Sequence, residues 1–283
     1  LTGYMGEFSL GHAGFMSIGA YASAIVTTLI QDQTDLPQVV LYLIAIIVGG
    51  LAAGLIGVLV GIPALRLSGD YLCIVTVAVA EIVRVVLSNF GIPAITGKAT
   101  FGKSFAGIAK VSDYHYVYIT MVICIFIMYC YIRSRYGRAL IAIREDRIAA
   151  AASGINVTKT KVLTFTISAF FAGVSGAIYA HYITTLVPTY FNFSKSSEFL
   201  AIVILGGSGS LRGSIVAAPI LSALPQLISY VVPAFASYRM LIYAIILVVV
   251  MIFKPTGLFG GREFSLPKLI DKITKKKTPK GKR

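Results

Sequence analysis

Long apolar stretches recur from one end of this 283-residue chain to the other, and they leave it few ways to fold. Crossing a hydrocarbon core of roughly 30 Å takes about 20 apolar residues as a helix. A helix satisfies its own backbone hydrogen bonds, which lipid cannot do for it. The apolar runs predict helices over residues 9–30, 38–63, 71–90, 116–132, 162–186, 199–231 and 237–253. The expected fold is all-α, a polytopic transmembrane bundle. With 57% hydrophobic and 13% charged residues, the chain has more apolar surface than one soluble core can bury. Lipid must cover the remainder.

Charge orients the bundle. The net charge of +14 is concentrated in two places: residues 133–161 carry seven basic and two acidic side chains, and residues 262–283 carry nine and two. The positive-inside rule puts both segments in the cytoplasm, C-terminus included. Alternation then places 91–115 outside, Arg66 inside and the acidic loop 31–35 outside. A basic tail also suits nucleic acid, but on a polytopic chain it reads as a membrane-flanking segment, so no nucleic-acid partner is expected. The chain begins at Leu1 in a Gly-rich stretch without a basic leader, so one or more helices are expected to precede it.

Two stretches are too rich in glycine for continuous helix. Gly206-Gly207-Ser208-Gly209-Ser210-Leu211-Arg212-Gly213 interrupts the 199–231 run and predicts a kink or re-entrant turn. Gly6-Glu7-Phe8-Ser9-Leu10-Gly11 weakly repeats it near the start. Paired interruptions in two halves of a transporter point to broken helices at a central site. Ser9, His12, Ser208 and Ser210 are the candidates for lining a polar path, although each also suits capping or packing a helix. Gly50, Gly54, Gly57 and Gly61 share one helix face, as do Ala169, Gly173, Gly176 and Ala180, and both predict close helix contacts. Glu81 and Arg84, at i, i+3, read as the only opposite-charge pair inside an apolar stretch. Self-neutralisation favours a structural role for them.

Several motifs are set aside on physical grounds. Gly97 to Ser104 fits GxxxxGK[ST] letter for letter, but a working P-loop joins a strand to a helix, and this one lies between membrane helices on the expected outer side. Gly173-Val174-Ser175-Gly176 matches an intramembrane serine-protease motif that needs a histidine base. His181, six residues on, faces away from Ser175 on the same helix. Cys73, Cys124 and Cys130 show no metal-ligand spacing and read as packing residues. No catalytic residue, cofactor or metal is expected.

The segment Arg138 to Gly154 combines strong helix formers with a glycine at the stop position and predicts one amphipathic helix, too polar to cross the membrane. Its alanine run suits docking into a partner's groove. At these residues a resemblance becomes specific. The chain resembles the LivM-type permeases of the branched-chain amino acid ABC transporters. The match is carried by Gly6 to Phe15 with Ile18 to Tyr21, Gly69 to Leu72 with Glu81 to Arg84, Gly137 to Gly154 with Asn156, Leu205 to Gly207 with Gly209-Ser210, Tyr238 to Met240, and Pro255 to Leu258. Two positions depart from the family pattern: Arg147 stands where an acidic residue is common, and Lys98 where a second glycine is common.

The resemblance implies a permease domain over 1–261 followed by a basic tail over 262–283. It implies a similar second permease, two cytoplasmic ATPase subunits and an extracytoplasmic solute-binding protein as partners, in the cell membrane. The segment 133–161 would be the coupling loop, with Arg138, Arg144, Glu145, Asp146, Ala149, Ala150 and Gly154 as its ATPase-contacting residues. The cargo would be a branched-chain amino acid, with urea, short amides or another small polar solute as the alternative. An ion-driven carrier is the reading from a different transport class, and it would have no use for a coupling loop. Because the P-loop match is a decoy, Lys103→Ala is expected to leave ATP hydrolysis by the assembled complex within about twofold of wild type, measured as phosphate release; a loss of tenfold or more would refute this.

Overall fold

The computed structural model describes residues 1–33, 37–67, 69–89, 105, 106, 108 and 114–231, with isolated helical residues between 241 and 253. The elements run α1 (Thr2–Met5), α2 (His12–Gln33), α3 (Gln38–Ala64), α4 (Asp70–Asn89), β1 (Phe105–Ala106), α5 (Tyr114–Arg133), α6 (Arg135–Glu145), α7 (Arg147–Ala152), α8 (Val157–Ile183), β2 (Thr185–Leu186), a 3-10 turn (Pro188–Phe191), α9 (Phe193–Gly206) and α10 (Leu211–Val231). Among the described residues, six helices are long and apolar enough to cross a membrane: α2, α3, α4, α5, α8 and α10. The chain is an all-α polytopic membrane bundle. Among the described residues its strands are confined to a two-residue antiparallel pairing, Phe105 with Leu186 and Ala106 with Thr185. The expected helix over 237–253 falls largely outside the described residues, and the P-loop look-alike at 97–104 and the tail 262–283 fall wholly outside them.

The chain divides into two compact units, 1–200 and 201–283, with the boundary inside α9. In the first, α2, α3 and α8 pack closely along most of their length. Backbone contact makes this possible. A Cβ at Gly49 would stand 2.7 Å from the Gly19 carbonyl oxygen, and one at Gly19, Gly173 or Gly176 would overlap the backbone of a facing helix. Gly57 and Gly61 seat Ala169 and Phe165 in the same way. The opposite face of α3 carries Leu43, Ile47, Leu51, Leu55 and Leu59, all exposed. This helix therefore sorts its faces by side-chain size and not by polarity, as expected where packing drives association in lipid.

Several hydroxyls inside the bundle are satisfied locally. Along α2 the hydroxyls of Ser17, Ser23 and Thr27 donate to the carbonyls of Gly14, Ala20 and Ser23, each one turn back. His181 of α8 donates from Nδ1 to the Ala177 carbonyl at 2.8 Å and meets the Thr27 hydroxyl at Nε2, 2.9 Å away. That commitment removes it as a protease base. Ser175 is exposed, and its hydroxyl donates to the Ala172 carbonyl.

In the second unit, Ile202 and Leu205 of α9 pack against Ala217 and Leu221 of α10. The expected interruption is present: α9 ends at Gly206 and α10 starts at Leu211. Gly207 and Gly209 take φ of +107° and +88°, values only glycine adopts readily.

Several boundaries differ from the sequence reading, α8 and α9 each starting five or six residues early, and two of the differences reshape the elements around the breaks. The first long helix begins at His12 and not at residue 9, because Gly6 to Gly11 leave the helix between α1 and α2. The single helix expected over Arg138 to Gly154 is two, broken at Asp146 (φ −151°, ψ 112°). The Asp146 carboxylate accepts from the amides of Ile148 (2.8 Å) and Ala149 (3.0 Å), so an aspartate counted as a surface charge is an N-cap that starts a new helix. Gly154 (φ +83°) ends it, as the sequence suggested.

The packing argument separates two substitutions on facing helices. Gly173→Val should cost more than the roughly 1–3 kcal/mol typical of overpacking, because the clash involves the Gly49 backbone. Gly54→Ala should be nearly neutral, since its new Cβ would meet only the Phe170 side chain and backbone at 3.6 Å and beyond. Thermal-aggregation midpoints in mild detergent should show a large fall for the first and a shift of a degree or two for the second.

Candidate functional site

The first unit gathers its interior polar groups at the break before α2. The Leu10 amide donates to Thr76 Oγ1 of α4 (3.2 Å), and the Ala13 amide donates to Ser196 Oγ of α9 (3.3 Å). His12 Nε2 and Ser168 Oγ of α8 form a 2.8 Å hydrogen bond. Ser9 is buried, and its hydroxyl has no partner among the described residues. Three helices thus converge on the polar start of α2. Ser168 lies eleven residues into the 27-residue α8, so at about 1.5 Å per residue the cluster sits roughly 16 Å from that end of the helix.

Inside the break, at Glu7, lies an ion pair absent from the sequence reading. Glu7 and Lys161 pair through Oε1 and Nζ, with residue exposures of only 7% and 4%. Glu7 Oε2 accepts no hydrogen bond among the described residues. Lys161 had read as the last charge of a polar loop, and it is instead in the second turn of α8. The opposite-charge pair at Glu81 and Arg84 is therefore not the only one. The available signal was a glutamate inside an otherwise apolar Gly-rich run.

Glu81 and Arg84 do pair with each other, Nε to Oε2 at 2.6 Å, with side chains about a third exposed (35% and 30%). The second break is simpler. Ser210 Oγ accepts from the Gly213 amide at 3.1 Å and caps α10, while Ser208 is exposed.

The charged segment between α5 and α8 folds against the start of the chain. A Cβ at Gly137 would overlap the Ile132 carbonyl, so glycine there lets α6 turn tightly off α5. Leu140 and Ile143 are buried and fix the inner face of α6. Arg138 donates from Nη1 to the Arg133 carbonyl at 3.1 Å. Arg144 donates to the Gly3 carbonyl at 2.8 Å from Nη1 and pairs with Glu145 through Nη2 at 2.6 Å. On α7, Ala149 is exposed, Ile148 is 83% exposed and Ala150 is buried against its own chain. Ala150 is thus turned inward, and the outward positions of this segment are Ile148 and Ala149, with Gly154 exposed at the far end.

A bundle of apolar spans with polar side chains drawn together where a helix breaks defines a multi-pass membrane protein. Comparison of the sequence gives the family. Residues 1–251 match the family model described as branched-chain amino acid transport system / permease component, and the chain belongs to that family. It is 34% identical over 289 positions to the high-affinity branched-chain amino acid transport system permease protein LivM of Escherichia coli (strain K12), covering 91% of this chain and 65% of that protein. It is 23% identical to a probable branched-chain amino acid transport permease protein LivM of Methanocaldococcus jannaschii, covering 94% and 81%. It is also 32% identical over 143 positions to the permease protein LivH of Salmonella typhimurium, covering 50% and 44%. No solved structure matches.

The geometry of Glu81 and Arg84 makes a direct test. Glu81→Gln should destabilise by roughly 1–3 kcal/mol, the scale of a hydrogen bond to a charged group, while Glu81→Gln combined with Arg84→Gln should recover most of that loss. Denaturation midpoints of the purified single and double variants would show it; a double variant that is as unstable as the single one removes the pairing argument.

Proposed function

We propose that this chain is the permease subunit of an ATP-driven, binding-protein-dependent importer for branched-chain amino acids. Its partners are a second permease of similar type, two cytoplasmic ATPase subunits and an extracytoplasmic solute-binding protein. The permease domain spans 1–261, and the basic tail 262–283 follows it on the cytoplasmic side with the charged segment 133–161, in accord with the concentration of lysine and arginine there. The subunit performs no covalent chemistry. Solute enters from the binding protein, and hydrolysis in the ATPases drives alternation of access; the polar groups at each break, Ser9 and His12 at the first and Ser208 and Ser210 at the second, are the candidates for lining the path.

One observation carries the ATP-driven reading over an ion-driven one. Ile148 projects from α7 with 83% exposure, on a helix whose direction is fixed by the Asp146 cap and the Gly154 stop. Burying such a side chain is worth roughly 1.5–3 kcal/mol, and its neighbours are the small Ala149 and the charges Arg144, Glu145, Asp146 and Arg147. A rigid apolar tip ringed by charge suits insertion into a groove of a cytoplasmic subunit. An ion-driven carrier has no such subunit.

Vesicles containing the full complex with ATP should accumulate labelled leucine, and an ion gradient without ATP should not drive uptake. Ile148→Asp should weaken capture of the ATPase subunits at least tenfold, about 1.4 kcal/mol, with the permease still inserted. Unchanged capture and uptake by this variant would exclude α7 as the contact.

A further inference from the structure

Two basic side chains of the charged segment, seventeen residues apart, reach the first seven residues. Arg144 comes from the last turn of α6 and donates to the Gly3 carbonyl. Lys161 comes from α8 and pairs with Glu7. Between them is Gly6, whose φ of +73° and closeness to Arg144, with Cγ 2.8 Å from where a Cβ would stand, leave room for no side chain. We propose that this is a strap: Lys161 and Glu7 are positioning residues that form its fixed point, Arg144 is its moving point, and together they carry displacement of the α6–α7 segment into the helix break at Gly6 to Gly11. The proposal rests on the importer reading above.

The assignment of fixed and moving points follows from packing. Lys161 belongs to α8, the helix locked by backbone contact to α2 and α3. Arg144 belongs to α6, whose outer face and C-terminal end are exposed and continue into α7. A push on α6 therefore reaches Gly3, and the chain turns about the Glu7–Lys161 pair at the glycine between them. Only one residue separates Glu7 from Ser9, so the far side of that pivot is the polar cluster of Ser9, His12 and Ser168. Stability alone is a poor account of the pair, because a buried ion pair is often replaced by apolar residues of similar volume without loss. What an apolar replacement lacks is a directional attachment that holds while the chain turns about it.

This makes the apolar replacement the informative variant. A nitroxide on Phe8→Cys, at an exposed position one residue past Glu7, with Cys73, Cys124 and Cys130 replaced by serine, reports motion of the break in the complete complex. Adding ATP should change its spectrum in the wild-type background and with Lys161→Arg, which keeps the pair. In Glu7→Leu with Lys161→Met the change should fall at least fivefold while phosphate release stays within twofold, and labelled leucine imported per ATP should fall about tenfold. Arg144→Met, which cuts the other end of the strap, should give the same loss of response and serves if the double variant fails to assemble. An undiminished response in a variant that assembles, or no response in wild type, overturns the strap. A wild-type response without leucine uptake supports the strap and contradicts the solute assignment.

Discussion

Everything else in the first unit depends on the approach of three helix backbones to contact distance. The glycines at 19, 49, 173 and 176 remove the side chains that would hold α2, α3 and α8 apart. Lipid offers no hydrophobic effect to drive such helices together, so van der Waals contact must do it, and contact at this range is stiff. The stiffness is what lets α2 be interrupted. A helix that ends at Met5 and restarts at His12 leaves backbone amides and buried hydroxyls in apolar surroundings, and it can persist only where neighbouring helices hold hydroxyls within reach. Ser168 is delivered to its position by the same packing, and Thr76 and Ser196 reach the break from α4 and α9.

Much of this was legible in the sequence, because length and apolarity decide spans and glycine spacing decides contact faces. The interruption at Gly206 to Gly213 could be read directly, since four glycines within eight residues exclude continuous helix. The break at Asp146 could not. Asp, Arg, Ile and Ala all occur within helices, and whether an aspartate caps or merely decorates a helix depends on the φ of one residue, which is set by how α6 lodges Leu140 and Ile143. The Glu7–Lys161 pair was hidden for a different reason. Its members are 154 residues apart, and nothing local to either links them.

The candidate site shows the same division. Ser9 and His12 stood out as polar residues beside glycines, and the structure places them at the break. The groups that meet the break there come from α4, α8 and α9, to the Leu10 amide, His12 and the Ala13 amide, at ordinary-looking serines and threonines that carry no signal of their own. Ser208 and Ser210 looked equivalent and are not: one is exposed, the other spends its hydroxyl on the Gly213 amide. Residue type and spacing found the breaks, and only three-dimensional proximity sorted the groups around them.

The size-sorted faces of α3 set how this helix can drift under mutation. Its outward leucines and isoleucines face lipid, where one bulky apolar side chain serves about as well as another. Its inward glycines at 49, 50 and 57 have no such freedom, for every single-base change of a glycine codon that alters the residue produces a larger side chain. Mutational tolerance along α3 is therefore inverted relative to a helix of a soluble protein: the conspicuous large residues are interchangeable, and these inconspicuous small ones are fixed.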